Sequence, residues 1–470
     1  MVFSSNIFIY LFLPLFMATY YLTPARFRNI AIVIGSYIFY AWWRVDFLLL
    51  LIAITLWNYV LAIVIDKASS DRARKYFLLI GVGGNLLTLL YFKYMNFFVE
   101  NWAFLARQVG ASDSFATNVI LPIGISFFVF QAVSYLVDVW RRDVPATTSL
   151  VQLAAFKAIF PQLVAGPVLR YKDLKDQFLN RTHTTEKFAE GVRRFIYGLS
   201  TKILLADTVA PIADRLFASP SPSLQEAWLG ILAYSAQLLF DFMGYSSMAI
   251  GLALMMGFKF IENFNNPYGS RSITEFWQRW HISLSTWLRD YVYIPLGGNR
   301  KGEFKTYRNL LLTMLLGGIW HGANWTFILW GLLHGGVMAV ERWLRREPKP
   351  DAPTHTPLAW PVTMLVVLIG WVLFRAHNLT QAFTVYGGML GLNGLTPSAD
   401  QVWRQSTPEL FFLLGALVII GLGVRQAWTG RGFVPARGSR MELVALSLLL
   451  VVSLMRLSAA SYSPFLYFQF

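Results

Sequence analysis

The sequence predicts an all-α polytopic membrane protein of about eleven transmembrane helices, with re-entrant and interfacial helices between them. Three observations carry this reading. Of the 470 residues, 56% are hydrophobic and only 14% are charged, with a mean hydropathy of +0.49, whereas soluble chains are about a quarter charged. Uncharged stretches close to the roughly 20 residues that cross about 30 Å of hydrocarbon recur from one end to the other. Aromatic residues make up 16%, with 17 Trp and 21 Tyr, the types that anchor helices at the two membrane interfaces.

In chain order, residues 4–22 form the first span. They lack a basic n-region and a small-residue cleavage site, so the span is expected to be retained. Residues 30–43, 47–65, 76–92 and 120–136 follow. Arg26 and Arg28, then Lys67, Arg72, Arg74 and Lys75, then Arg141 and Arg142 fall at alternate span ends. The positive-inside rule assigns those ends to the cytoplasm and places Met1 outside. Residues 151–202 and 271–308 are basic and are expected as interfacial segments on the cytoplasmic side. Pro161, Gly166 and Pro167 interrupt the first of them, which reads equally as a re-entrant segment or an amphipathic linker. Residues 227–258, 309–340, 361–374, 410–424 and 443 onward complete the apolar stretches. The expected organisation is a membrane core over 1–344 containing a buried hairpin at 309–340, a Pro-rich linker at 345–358, and C-terminal transmembrane helices over 359–470. Loop topology accounts for the net charge of +15, so no nucleic-acid partner is expected. Cysteine is absent, which excludes disulfides, a thiolate metal site and a Cys-linked acyl-enzyme on this chain.

The chemistry is sought among ionisable groups inside the apolar stretches. His183 and His355 lie in polar runs and read as solvated; His377 reads as interfacial. His321 differs, because residues 309–340 hold no Asp, Glu, Lys or Arg. At about 1.5 Å per residue it lies roughly 20 Å beyond Arg308, near or past the bilayer midplane. An ionisable group at that depth is costly and marks a functional site. There it is expected to be neutral and available as a general base. The glycines around it predict a helix break or close packing. Asn324 would lie one turn on and could orient the ring or a substrate carbonyl if the helix continues, and His334 reads as packing or support. Asp241, alone in an uncharged stretch, is either paired with a nearby Arg or His or bound to substrate. No His-x-x-x-His or His-Glu-x-x-His spacing occurs, so no metal is expected. Residues 276–291 combine aromatics with Arg279, His281, Arg289 and Asp290. By composition they read as an interfacial amphipathic helix or as a portal for a phosphorylated, purine-bearing acyl carrier.

Two runs, GGIWHGAN at 317–324 and WQRWHISLSTWLRDY at 277–291, resemble the signature of the membrane-bound O-acyltransferase family. The likeness is to its alginate O-acetylation and bacterial cellulose acetylation branch. It extends through YAWWRVD at 40–46, LPIGISF at 121–127 and GPVLR at 166–170. By this resemblance His321 matches the family's catalytic histidine and His281 the upstream histidine of the branch. Trp277, Arg279, Arg289 and Asp290 would shape the donor entrance, with Trp320, Asn324 and Asp241 as further substrate-binding residues. The resemblance also implies helices around a thin centre and acetyl-CoA as cytoplasmic acyl donor, with no bound cofactor. A periplasmic acyltransferase partner would finish transfer to an exopolysaccharide from a multi-pass protein in the bacterial inner membrane, surrounded by membrane lipid. Around Asp241 the sequence DFMGYSSM departs from the expected DFSGYSDM, with Met243 and Ser247 in place of the Ser and the second Asp, and the short polar insert at 429–440 leans toward the cellulose relatives. The rival readings are a polytopic transporter and a non-catalytic export scaffold for polysaccharide or acyl groups.

Overall fold

The computed structural model describes residues 1–110, 118–163, 166–344, 357–397, 405–431, 438–459 and 466. They form helices and no strands. The helices are α1 (Phe8–Leu22), α2 (Arg28–Ala41), α3 (Val45–Lys67), α4 (Asp71–Gln108), α5 (Ile125–Arg141), α6 (Leu150–Ala158), α7 (Phe160–Leu163) and α8 (Tyr171–Leu179). Then come α9 (Thr185–Ala218), α10 (Leu224–Met255), α11 (Ile273–Arg279), α12 (Ile282–Leu288), α13 (Glu303–His321), α14 (Trp325–Leu344), α15 (Ala359–Arg375), α16 (Leu379–Met389), α17 (Thr407–Thr429) and α18 (Arg440–Ala459). Among the described residues α3, α4, α9, α10, α17 and α18 are long and apolar enough to cross a membrane, and α1 and α15 are shorter apolar helices.

Other apolar stretches of the sequence fall on shorter helices. Of the stretches 30–43 and 120–136, the helical parts belong to α2 and α5, of 14 and 17 residues, short of a full span. Most of α5 is buried, including Gln131, Ser134 and Asp138, so protein rather than lipid surrounds it. The proline-linked linker at 345–358, with His355, lies outside the described residues apart from its last two positions.

The chain divides into two compact units, one comprising Met1–Phe195 with Met248–Ile261 and the other Ile196–Ser247 with Glu262–Phe470. In the first, Phe8, Phe12, Phe16 and Tyr20 recur every four residues on α1 and stack in succession at 5.6, 5.8 and 6.0 Å. Phe160 packs edge-on against Phe12 and Phe16. Helices α3 and α4 are joined by reciprocal amide bonds between buried Asn58 and Asn85, at 3.0 and 2.9 Å, the polar contact that holds helices together in lipid. Arg74 is buried and donates to the carbonyls of Val139 and Trp140 at the end of α5, satisfying acceptors that a helix C-terminus leaves open. In the second unit the apolar core gathers Val209 and Ile212 of α9, Ala233, Ala236 and Phe240 of α10, and Leu413 and Ala416 of α17.

Candidate active site

The site is built in the second unit on a helix break. α13 ends at His321, after which Gly322 is extended at φ −162° and ψ 153°. The chain turns through Ala323 and Asn324 and returns as α14, which packs against α13. The apolar stretch 309–340 is thus a hairpin with His321 at its bend, and Gly322 supplies the expected break. His321 is buried against aromatic rings, with centroids 4.9 Å from Trp320, 5.0 Å from Trp330 and 5.1 Å from Phe374.

His281 approaches the same cluster from another element. It joins α11 to α12 with a left-handed backbone, φ +45° and ψ +53°, which an L-residue adopts at a cost of about 1–2 kcal/mol. The ring is wholly buried and lies 4.8 Å from Phe242 and 6.2 Å from Trp320, so the Trp320 indole touches both histidines. Asn263 sets the tautomer. Its Oδ1 accepts from the Ser283 backbone N–H at 3.2 Å and the Ser283 hydroxyl at 2.8 Å. A backbone N–H only donates, so the amide atom facing it is oxygen. That oxygen lies 3.1 Å from His281 Nδ1, which therefore carries the ring proton. Nε2 keeps its lone pair and has no hydrogen-bond partner among the described residues. Asn263 itself is held by its carbonyl, which accepts from Ile282 N–H at 3.0 Å. Sequence reasoning missed Asn263 and Ser283; the only signal was a polar residue facing the histidine motif from a separate segment.

The other expected residues divide. Trp277 is buried rather than at an open entrance, and its Nε1 donates to His334 Nδ1 at 3.2 Å. His334 in turn meets Trp330 at 4.9 Å, so the break brings it back into the histidine cluster that a continuous helix would have placed on an opposite face. Glu341, also unanticipated, accepts from Ile273 and Thr274 N–H at 2.5 and 3.1 Å and fixes the start of α11, where a carboxylate suits the helix dipole. Arg279 pairs with Glu275 at 2.9 Å. Arg289 is exposed and pairs with Asp290 at 2.8 Å.

Asn324 requires a correction. Because α13 stops at His321, Asn324 is not one turn further along the same helix. It caps α14, its Oδ1 accepting from Thr326 N–H at 3.1 Å while Nδ2 donates to the His377 carbonyl at 2.7 Å. Asp241 is ion-paired, with Lys202 at 2.9 Å rather than with Arg or His, and accepts from Leu466 N–H at 2.9 Å. Lys202 also bonds Asp207 at 2.5 Å. His183 is not a solvated residue either: it is half-buried and bonded to Tyr20 and Arg28. Among the described residues no three His, Asp or Glu side chains gather as a metal site would.

The model of the membrane-bound O-acyltransferase family matches residues 77–379. The chain belongs to the membrane-bound O-acyltransferase family. The acyltransferase is 51% identical over 501 residues to "Probable alginate O-acetylase AlgI" of Azotobacter vinelandii, each chain covered in full. It is 52% identical over 487 residues to the protein of the same name from Pseudomonas putida, again with full coverage of both. It is 34% identical over 520 residues to "Peptidoglycan O-acetyltransferase" of Helicobacter pylori, covering 100% of this chain and 98% of the relative. This membership decides between the enzyme and transporter readings: the chain is a multi-pass membrane acyltransferase. Both histidines of the acyltransferase fall within the matched region.

Proposed function

We propose that the enzyme moves acetyl groups from a cytoplasmic thioester donor, acetyl-CoA, across the bacterial inner membrane for O-acetylation of alginate, through a periplasmic acyltransferase partner. The observation that carries this is the His281 Nε2 lone pair, buried without a partner among the described residues and sharing the Trp320 indole with His321. A buried acceptor left open in this way suits an O–H donor supplied by a substrate. The names of the relatives at about half identity over their full length support acetyl as the group and alginate as the glycan.

In this reading the attacking hydroxyl donates its single O–H to His281 Nε2 on binding, and that proton passes to His321, the general base or proton relay, as the oxygen attacks. The hydroxyl oxygen bonds to the thioester carbonyl carbon, the C–S bond breaks, and the proton passes from imidazole to the departing thiolate. A transient acyl-histidine is the other route open to the same residues. Arg279, Arg289 and Asp290 belong to the donor side, with Arg289 as the exposed cation, while buried Trp277 supports His334.

The test is transfer of radiolabelled acetyl from acetyl-CoA by the purified chain in nanodiscs, with and without a periplasmic extract. His321→Ala and His281→Ala should each lower transfer by about 10²–10⁴-fold, the range carried by general acid–base groups. Dependence on the extract would support a partner as the immediate acceptor. Full activity of His321→Ala at normal protein levels would overturn the assignment.

A further inference from the structure

The α1–α2 turn of the first unit gathers positive charge without carboxylates. Arg28 lies 5.4 Å and Arg181 5.8 Å from the Tyr20 ring. Lys187 reaches Thr182 Oγ1 at 2.6 Å and the Gly257 carbonyl at 3.5 Å. None of the three has an acidic partner among the described residues. Other half-buried cations of this unit do: Lys172 pairs with Asp138 and Asp143, and Arg170 with Asp173.

The hydrogen bonds leave donors to spare. The Tyr20 hydroxyl donates to the Met256 carbonyl at 2.8 Å, so it accepts from Arg181 Nε at 2.9 Å and from His183 Nε2 at 2.9 Å. His183 Nδ1 then holds a lone pair and accepts from Arg28 Nη1 at 3.1 Å. Burial, with Arg28 and Arg181 beside it, holds the His183 imidazole below its usual pKa, in agreement with this neutral tautomer. Arg28 Nε donates to Thr23 O at 3.3 Å, and Arg181 Nη1 to Asn29 Oδ1 at 2.8 Å. Each guanidinium keeps its Nη2 group without a protein acceptor among the described residues. Gly257, at φ +84°, lets the His183 loop close over the cluster, since a Cβ there would lie 2.9 Å from Thr182 O and 3.1 Å from His183 Nε2.

Beside this cluster an apolar groove of about 520 Å³ runs between α1 and α2. Phe12, Phe16, Ala31 and Gly35 line it, and Thr23 and Phe27 line its end at the turn. Those two residues join the features: Arg28 bonds the Thr23 carbonyl, and Arg26 lies 4.6 Å over the Phe27 ring. A phosphate with one hydrocarbon chain matches both the spare guanidinium donors and the apolar trough.

We propose that this is an anionic phospholipid site, with the phosphate held by Arg28 and Arg181 and one acyl chain in the α1–α2 groove. It goes beyond acyl transfer and does not depend on it. The full chain is reconstituted in vesicles of phosphatidylglycerol and phosphatidylcholine, then extracted in detergent, and retained lipid is measured by native mass spectrometry. Wild type retains phosphatidylglycerol. Arg28→Gln lowers retention by roughly fivefold, the factor of one basic side chain at an anionic surface. Ala31→Trp, which fills the groove from a separate position without touching the cations, lowers it as well, so loss in both variants is not a folding defect of the polar network. Unchanged retention in either variant overturns the site as described. So does displacement by soluble glycerol phosphate together with an inert Ala31→Trp, which would identify a free phosphate ester as the ligand.

Discussion

The tautomer of His281 is a property of one neighbouring amide, and it can be switched. Asn263→Ala removes the nearer acceptor that fixes Nδ1–H, leaving the Ser283 hydroxyl 3.4 Å away, and should lower acetyl transfer by about a hundredfold, because the ring then spends time with the wrong nitrogen protonated. Asn263→Asp keeps an acceptor facing Nδ1 and should retain much more activity than Asn263→Ala. Equal rates in the two variants would show that Asn263 matters through packing alone. Backbone geometry gives an independent handle. With φ at +45°, His281→Gly should melt higher than His281→Ala by about 1 kcal/mol of stability, since only glycine occupies the left-handed region freely. Both variants should be equally impaired in transfer. Of this residue-scale picture, the two histidines were legible because each sits in a run that intramembrane cost or family resemblance singles out. Asn263 was not, because nothing in its own segment signals that it meets His281 across eighteen positions of chain.

The α13–α14 hairpin depends on absent side chains. A Cβ on Gly318 would lie 2.3 Å from the Phe327 carbonyl oxygen, and one on Gly331 would lie 2.5 Å from that of Met314. Both obstacles are backbone atoms, which do not yield as a flexible side chain does, so the two helices approach as closely as small residues in membranes permit. Gly331→Val should therefore separate them, costing about 1–3 kcal/mol of stability and moving Trp330 off His321, with a loss of transfer. Gly336→Ala on the same helix meets nothing within 4 Å and should leave both unchanged. Thermal melts in detergent beside transfer assays check the pair; equal behaviour of the two variants would sink the argument. The glycines flanking His321 announced this hairpin in the sequence. The role of Asn324 was hidden, because whether it follows His321 on a helix or caps the next one depends on where the break falls. That break is set by Gly322 together with the return of α14.

At the scale of the whole molecule, the division into two units is invisible in a linear reading, since each unit takes two separated pieces of chain. What binds distant parts of the second unit is partly polar. Lys202, fully buried in the π-helical turn Thr201–Ala206 of α9, meets Asp241 of α10, and the other oxygen of that carboxylate receives the N–H of Leu466 near the end of the chain. The intramembrane Asp241 was conspicuous in the sequence, but its partner was not, because Lys202 closes a basic segment that reads as cytoplasmic. A buried ion pair is worth little net of desolvation, yet removal of one partner strands the other. Asp241→Asn should then destabilise the protein by about 3 kcal/mol, moderated by the bond that Lys202 keeps with Asp207. In Lys202→Met combined with Asp241→Asn, the amide oxygen still accepts from Leu466 and no fully buried charge is left, since Asp207, which also loses Lys202, is a quarter exposed, and most of the stability should return. The cycle is read from denaturation midpoints of the two single variants and the double variant. A double variant no more stable than Asp241→Asn would mean that the pair carries a favourable interaction of its own, and that charge rather than shape ties the chain end to α9 and α10.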